Sequence, residues 1–427
     1  MQRIYVNMKK ITSRDDILSS NEFEKKAAAL YGSADGSKNR YAALYDAHYC
    51  NFGLNEGFFF SSPGRIEVAG NHTDHNHGKV LTAAISVDTL AFVTPSDDET
   101  VRVNSRGYEP FECNLRDLAP DPSEAGTSKA LIKGIASYLR DEGFKTGGFY
   151  ASVTSDVPAA AGVSSSASFE LLIAEIFNKF YNGGQIGAVK KAQASQYAEN
   201  VFFMKPCGLL DQSAISLGGV SAIDFSDTAN PKIEKAGWPF SDLDVIVVNT
   251  GGNHADLTDE YASIRKEMEE VAALYGKSCL RDVDYKTFLS DLPELQKKTS
   301  GRALLRAMHF FDENVRVDEA VSAIASKDEE GFLKAVKESG DSSYRLLQNC
   351  YVAGDLSERI PLGIAVSSHT VGVRAVRVHG GGFAGTIIAY VDKSESENYC
   401  VRMKEIFGGN SVYKLAIREE GACYVGF

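Results

Sequence analysis

Apolar residues recur at helical spacing through FEKKAAALYG and YAALYDAHYCNFG, and each stretch closes on a glycine, a usual helix stop. The first sixty residues therefore read as a helical lead-in. From Phe58 the pattern shortens to β-rich runs, FFFSSPGRIEVAG, VLTAAISVDTLAFVTP and TVRVNS, bounded by Gly, Pro, Asn and Asp, so a sheet begins there. The helical period returns in TSKALIKGIASYLRDEG and SSASFELLIAEIFNKFYNGG, with the strand-like YASVTSDVP between them, which predicts an alternating α/β domain. After LGGVSAIDFSD, the strand LDVIVVNTGG leads into a helix-rich stretch from about Thr258 to Asn349 that looks like a second domain. Near the end, GVRAVRVHGGGFAGTIIAYVD reads as strand, glycine turn and apolar segment.

A length of 427 residues exceeds one ordinary core and fits two or three domains. The formal charge of -12, from 45 Lys plus Arg against 57 Asp plus Glu, gives no general attraction to nucleic acid or anionic lipid. An anionic ligand would need a local device. The seven cysteines are scattered and form no C-x-x-C pair, which argues against a disulfide framework or a thiolate zinc site and fits reduced thiols in the cytoplasm. MQRIYVNMKKITSRDD has no apolar signal core, and no run of about 18 apolar residues occurs, so no membrane association is expected.

One candidate device is Val157-Pro158-Ala159-Ala160-Ala161-Gly162-Val163-Ser164-Ser165-Ser166-Ala167-Ser168, a small-residue loop running straight into an amphipathic helix. Close backbone approach, free N–H groups and the positive end of a helix dipole are what a phosphate needs, although a serine-capped helix start reads the same way. Gly276-Lys277-Ser278 only imitates a Walker loop, because Val271 stands where its first glycine belongs. Kinase signatures of the HRD and DFG type are missing. Asp211, in KPCGLLDQ, could accept a hydroxyl proton with Arg65 of Pro63-Gly64-Arg65 as its cation; alone, the pair reads equally as a cap and a surface ion pair. The turn GNHTDHNHG, residues 70–78, holds His72, His75 and His77, but their spacing fits neither H-E-x-x-H nor a zinc finger. Asp74 and His72 within it could instead hydrogen-bond adjacent hydroxyls of a polyol. HGGGFAG, from His379, is by itself only a tight turn.

Taken in order and at these separations, PGRIEVAGNHTDHNHG, VPAAAGVSSSASFE, KPCGLLDQ and HGGGFAG resemble the galactokinases of the GHMP small-molecule kinase family. The resemblance runs from about Tyr41 through Val248-Asn249-Thr250, His254, Leu257, Glu260-Tyr261 and Arg265 to ENVRVDEAVSAI. It implies an α+β two-domain GHMP kinase fold. An N-terminal mixed-sheet domain with a left-handed-type β-α-β unit would span residues 1–225, and a C-terminal ferredoxin-like α/β sandwich domain residues 226–427. It further implies ATP as co-substrate and Mg²⁺ as cofactor. Pro158, Gly162, Val163, Ser164, Ser165, Ser166, Ala167 and Ser168 match the ATP loop, and Ser166 and Glu199 match the magnesium positions. Asp211 matches the catalytic aspartate, Arg65 its partner arginine, and His72, Asp74, Gly208 and Tyr261 the sugar-contacting positions.

The chain departs from the family signature G-E-H-T-D-Y-N-G-G: Asn71 replaces the glutamate, His75 the tyrosine and His77 a glycine. In the family that glutamate contacts the hydroxyl on C6 of galactose, so Asn71 joins the expected sugar-binding residues and, having no negative charge, would tolerate a carboxylate there. Ala384 stands for a usual glycine and Gly340 for a common histidine. The expectation is an ATP-dependent kinase acting on the anomeric C1 hydroxyl of a monosaccharide, with D-galactose as the leading substrate. A kinase for a C6-modified sugar such as galacturonate, or a silent galactose and ATP sensor, stands as the alternative. The expected partners are the sugar and ATP, with no nucleic acid and no membrane, and the chain is expected as a cytoplasmic monomer or weak homo-oligomer.

Overall fold

The computed structural model of the chain describes residues 8–158, 162–252, 257–383 and 385–427. Ala159, Ala160 and Ala161 of the small-residue loop, His254 and Ala384 lie outside the described residues.

Among the described residues, twelve strands fall into two sheets. The larger contains β1 (Phe58–Ala69), β2 (Lys79–Pro95), β3 (Thr100–Ser105), β4 (Phe111–Asn114), β5 (Phe149–Ser155), β6 (Val220–Asp224), β7 (Lys232–Ala236) and, from the far end of the chain, β12 (Cys423–Val425). Its order is β12-β1-β2-β5-β3-β4, with β6 on β2 and β7 on β6. All pairs are antiparallel except β3 with β5, whose connection runs through β4 and helix Ser128–Asp141. The smaller sheet contains β8 (Leu243–Gly251), β9 (Val373–Val378), β10 (Gly385–Asp392) and β11 (Val412–Leu415) in the order β11-β8-β10-β9. Numbered within that unit, this is 4-1-3-2 and fully antiparallel, with helices after the first and third strands, the ferredoxin-like arrangement. β7 and β12 both lie beyond residue 225 yet complete the first sheet, so a boundary drawn at 225 does not follow the strand pairing.

β1 begins with three consecutive phenylalanines because both faces of the sheet are covered there. Phe58 and Phe60 pack with Leu172, Ile176 and Phe180 of helix Ser165–Asn182. Phe59 turns to Phe23 and Tyr41 of the lead-in helices Asn21–Tyr31 and Ser37–Phe52. Each buried ring contributes about 1.5–3 kcal/mol, which accounts for the helical preamble as cover for the outer face. Its two helices stop on Gly32 and Gly53, both left-handed, at φ 77° and 70°. No helix among the described residues is long and apolar enough to cross a membrane.

Candidate active site

Arg65 sits where β1 leaves regular pairing, since the register with β2 shifts between Pro63 and Arg65. Pro63 has no N–H to give, and Gly64 lets the backbone close on the small-residue loop: a Cβ on Gly64 would stand 2.9 Å from the Val163 carbonyl. The Arg65 N–H donates to that carbonyl at 3.2 Å, and its guanidinium also donates to the Gly162 carbonyl. The fork of Nε and Nη2 grips Asp211 Oδ1, each at 2.7 Å.

Asp211 lies in the first turn of helix Leu210–Leu217, and its Oδ2 accepts from the Ser164 hydroxyl. Burial would raise its pKa, but the Arg65 charge and the hydrogen bonds from Arg65 and Ser164 outweigh that, leaving it below the usual carboxylate range. Ser164 precedes helix Ser165–Asn182 in the left-handed region, at φ 64°, and its side chain caps nothing. The serine thus gives up the capping role to reach Asp211. The uncapped first turn offers its leading N–H groups and dipole to an anion.

The predicted loop residues divide. Ser165 is partly open, Ser166 is exposed, and Val163 and Ala167 are buried in the core. Pro158 is half-buried at the edge of the described chain. Ser168 is a correction: it is buried, its hydroxyl donates to the Ser62 carbonyl and accepts from the Thr89 hydroxyl, both at 2.8 Å, so the side chain is spent on tying helix to sheet. One turn beyond Ser166, Glu170 meets Glu199, and Gln212 Nε2 donates to both at 3.3 Å. Burial, reinforced by the neighbouring Glu199 charge, pushes the Glu170 carboxyl well up, and its Oε1 is buried without a hydrogen-bond partner among the described residues. Two converging acidic side chains with an unspent oxygen beside an exposed serine fit a divalent cation.

The turn at 70–78 is fixed from outside by helix Gly301–Ser326. The Gly70 N–H donates to Glu313 at 2.9 Å, His309 Nε2 donates to the Asn71 carbonyl at 2.8 Å, and the Lys79 N–H donates to Asn314 at 2.7 Å. Arginines and His309 hold Glu313 at about 2 although burial alone would raise it. Asp74 is carried to within reach of Asp211, and burial together with the Asp211 charge raises its pKa. Gly208 makes this approach possible, because a Cβ there would lie 1.7 Å from Asp74 Oδ2. The Gly208→Ala variant should therefore displace the Asp74 carboxylate and raise the KM for sugar by about 10- to 100-fold, the loss of one or two hydrogen bonds to a charged group, with the KM for ATP unchanged. Steady-state kinetics check this.

Asn71 is the second correction. Its Nδ2 donates to Glu67 at 2.8 Å and to the Gly380 carbonyl at 2.9 Å, while its Oδ1 accepts from Asn349 at 2.8 Å and Ser343 at 3.4 Å. Buried at 1 % exposure and fully hydrogen-bonded, it is not presented to a sugar. His72 Nε2 donates to the Gly381 carbonyl at 2.9 Å, and the Tyr261 hydroxyl donates to the Gly382 carbonyl at 2.9 Å. Burial drives the His72 imidazole down to about 4, so it is neutral. Asn71, His72 and Tyr261 thus clamp successive carbonyls of one glycine turn. A Cβ on Gly381 would strike the Tyr261 ring at 2.5 Å, and one on Gly382 the Asn349 carbonyl at 2.2 Å.

Among the described residues, no group of three or more His, Cys, Asp or Glu is arranged to hold a metal, and all seven cysteines are free. Sequence reasoning missed Glu67, Glu170, Glu313, His309, Asn349 and Arg377. A charge inside an apolar strand run, as in RIEV and VRAVRV, was the available signal for Glu67 and Arg377.

Residues 46–95 match the model described as the galactokinase galactose-binding signature, and residues 130–219 match the GHMP kinases N-terminal domain. The galactokinase of Pyrococcus furiosus is 32% identical over 336 residues, covering 79% of this chain and 89% of that protein. The human galactokinase is 30% identical over 387 residues, covering 87% and 93%. Among solved structures, Lactococcus lactis galactokinase complexed with galactose superposes with a TM-score of 0.80 at 24% identity, covering 90% of this chain and 100% of that one. Methanococcus jannaschii mevalonate kinase gives 0.60 at 15% identity, covering 84% and 98%.

Proposed function

From the premise that the chain belongs to the galactokinase family, we propose that it transfers the terminal phosphoryl group of ATP to the C1 hydroxyl of D-galactose, giving α-D-galactose 1-phosphate. The observation that carries this reading is the Arg65–Asp211–Ser164 constellation at the mouth of helix Ser165–Asn182. Phosphoryl transfer asks for positioned reactants, neutralised charge and an acceptor for the hydroxyl proton. The ionised Asp211 carboxylate keeps lone pairs free beside those used by Arg65 and Ser164, and takes the proton of the C1 hydroxyl. Arg65 orients that carboxylate and lies against the negative charge that develops. The uncapped helix start cradles the phosphates, which answers the chain's acidic balance locally.

Glu199 and Ser166, with Glu170 beside them, would hold Mg²⁺. The ion would supply charge neutralisation on the phosphate oxygens. Asp74, His72, Tyr261 and Gly208 would form the sugar's side of the site, with Asp74 accepting from its hydroxyls. The partners are a sugar and ATP, and the chain would work in the cytoplasm as a monomer or weak homo-oligomer.

A preference for galacturonate rested on Asn71 facing C6, and that side chain is spent on Glu67, Gly380 and Asn349. Parallel assays with galactose and galacturonate should give a clear galactose preference in kcat/KM. The opposite preference overturns the assignment, and nucleotide binding without turnover of any sugar identifies a sensor.

A further inference from the structure

His379 closes β9 at the start of the glycine turn, 1 % exposed, and takes no part in the chemistry described above. Its Nε2 accepts the Glu67 backbone N–H at 3.2 Å. An imidazole that accepts at Nε2 while neutral must carry its hydrogen on Nδ1. Burial, reinforced by the Arg65 and Arg377 charges, holds its pKa well below the ordinary value, so this tautomer is the form present. Nδ1 is buried and has no hydrogen-bond partner among the described residues. A donor left in that condition is costly to the fold, and its persistence asks what acceptor it awaits.

Its position supplies an answer. A Cβ placed on Gly162 would stand 3.6 Å from His379 Nδ1 and 2.6 Å from Thr386 Oγ1, so the imidazole and the threonine hydroxyl both flank this residue. Gly162 holds φ 61°, and its carbonyl receives Arg65. The unpaired N–H therefore lies at the end of the small-residue loop nearest the Arg65–Asp211 pair.

We propose that His379 is a further nucleotide-positioning residue, its Nδ1–H donating to a phosphate oxygen of ATP seated at the Gly162 end of the loop. The proposal rests on residues 162–168 forming the nucleotide cradle. Because the imidazole is held neutral, it adds a directional donor there without another charge. Its ring is also fixed by the strand that carries Arg65, which keeps the donor and the guanidinium in constant relation.

The test compares His379→Leu and His379→Asn with the wild-type chain, using equilibrium binding of a non-hydrolysable ATP analogue, KM values for ATP and galactose, and melting temperature. Leucine fills the space without a donor, while the asparagine amide can place an N–H where Nδ1 stands. The expected result is analogue affinity and KM for ATP worsened about ten- to a hundredfold in the leucine variant, the worth of one hydrogen bond to a charged group. The KM for galactose should stay within about twofold, and asparagine should restore most of the ATP affinity. Both replacements lose the Nε2 acceptor, so a merely structural role would impair both alike, and that result overturns the proposal. So does a leucine variant with wild-type analogue affinity. If the leucine variant does not fold, a folded asparagine variant decides: near-wild-type analogue affinity supports the donor, and a tenfold loss overturns it. A wild-type chain that binds no analogue overturns the reading of the loop and, with it, the role of His379.

Discussion

Asp211→Asn should lower kcat by about 10³-fold or more while the protein remains folded, as expected when a general base is removed. Asparagine keeps the shape: its Oδ1 can still accept from Arg65, and its Nδ2 can donate to the Ser164 hydroxyl oxygen, so both groups that hold Asp211 in place keep a partner. What it cannot do is take a proton. The loss should thus fall on kcat, with KM for ATP and sugar near their wild-type values and melting shifted by no more than a few degrees. The pH profile of the wild-type enzyme carries the same information. The pKa of Asp211 is depressed, so the carboxylate is the form present throughout the neutral range, and activity should fall only as pH drops below the usual carboxylate range. That acidic limb belongs to the ionisation of Asp211 and should be absent from the residual rate of the asparagine variant. Wild-type kcat in Asp211→Asn would remove Asp211 from the mechanism.

The second large effect is expected far from the reacting atoms. Arg377 is wholly buried, donating to the Val68 carbonyl at 2.8 Å, to Glu67 at 2.9 Å and to the Val378 carbonyl at 3.0 Å. Through Glu67 it supports Asn71, and through Asn71 the glycine turn. Arg377→Met leaves Glu67 buried without its closest cation and leaves a strand carbonyl unsatisfied. Loss of one partner of a buried pair costs about 3–5 kcal/mol. Urea unfolding should show this as a lower midpoint at unchanged slope, and adding Glu67→Gln should recover part of the loss by removing the stranded charge. A single variant as stable as the wild type would show that the pair is dispensable. A double variant no better than the single one would place the cost in the carbonyl hydrogen bonds instead of the charge.

Local pattern carried the sequence reading a long way for physical reasons. Helices that end on Gly32 and Gly53, and strands bounded by turn residues, are set by interactions within a few residues, and these emerged where periodicity placed them. The helix start at Ser165 was legible because small residues and hydroxyls before an apolar helical pattern have few other uses. Ser168 was misread as a nucleotide contact, yet it shares its helical stripe with Leu171, Leu172 and Glu175, all of them buried. Its period favoured the sheet side, and the run of serines hid that. Asn71 failed for a different reason. A residue in a turn has no period to give its direction, and its orientation was decided by Glu67, Ser343, Asn349 and Gly380, three of them at least 272 positions away in the chain. The return of β12 to β1 was equally invisible, since a three-residue strand announces neither its partner nor its sheet.

The role of Gly208 shows how the two levels join. The glycine could be read as room for a ligand, but the group occupying that room is the Asp74 carboxylate, carried in by a turn whose ends are pinned to helix Gly301–Ser326. Asp74 and Asp211, 137 residues apart in sequence, become neighbours whose charges oppose each other, and Asp74 takes the raised pKa while Arg65 keeps Asp211 low. Two carboxylates driven apart in this way suit different work: hydroxyl recognition for one and proton acceptance for the other.

We propose that this site phosphorylates the anomeric hydroxyl of galactose. Phosphorus NMR of the purified chain incubated with ATP, Mg²⁺ and galactose tests it most directly. The expected result is equimolar ADP and a new sugar-phosphate resonance coupled to the anomeric proton of the α configuration, formed at about a thousandth of the rate or less in Asp211→Asn. ADP without a sugar phosphate, or phosphate attached at any carbon other than C1, would contradict it.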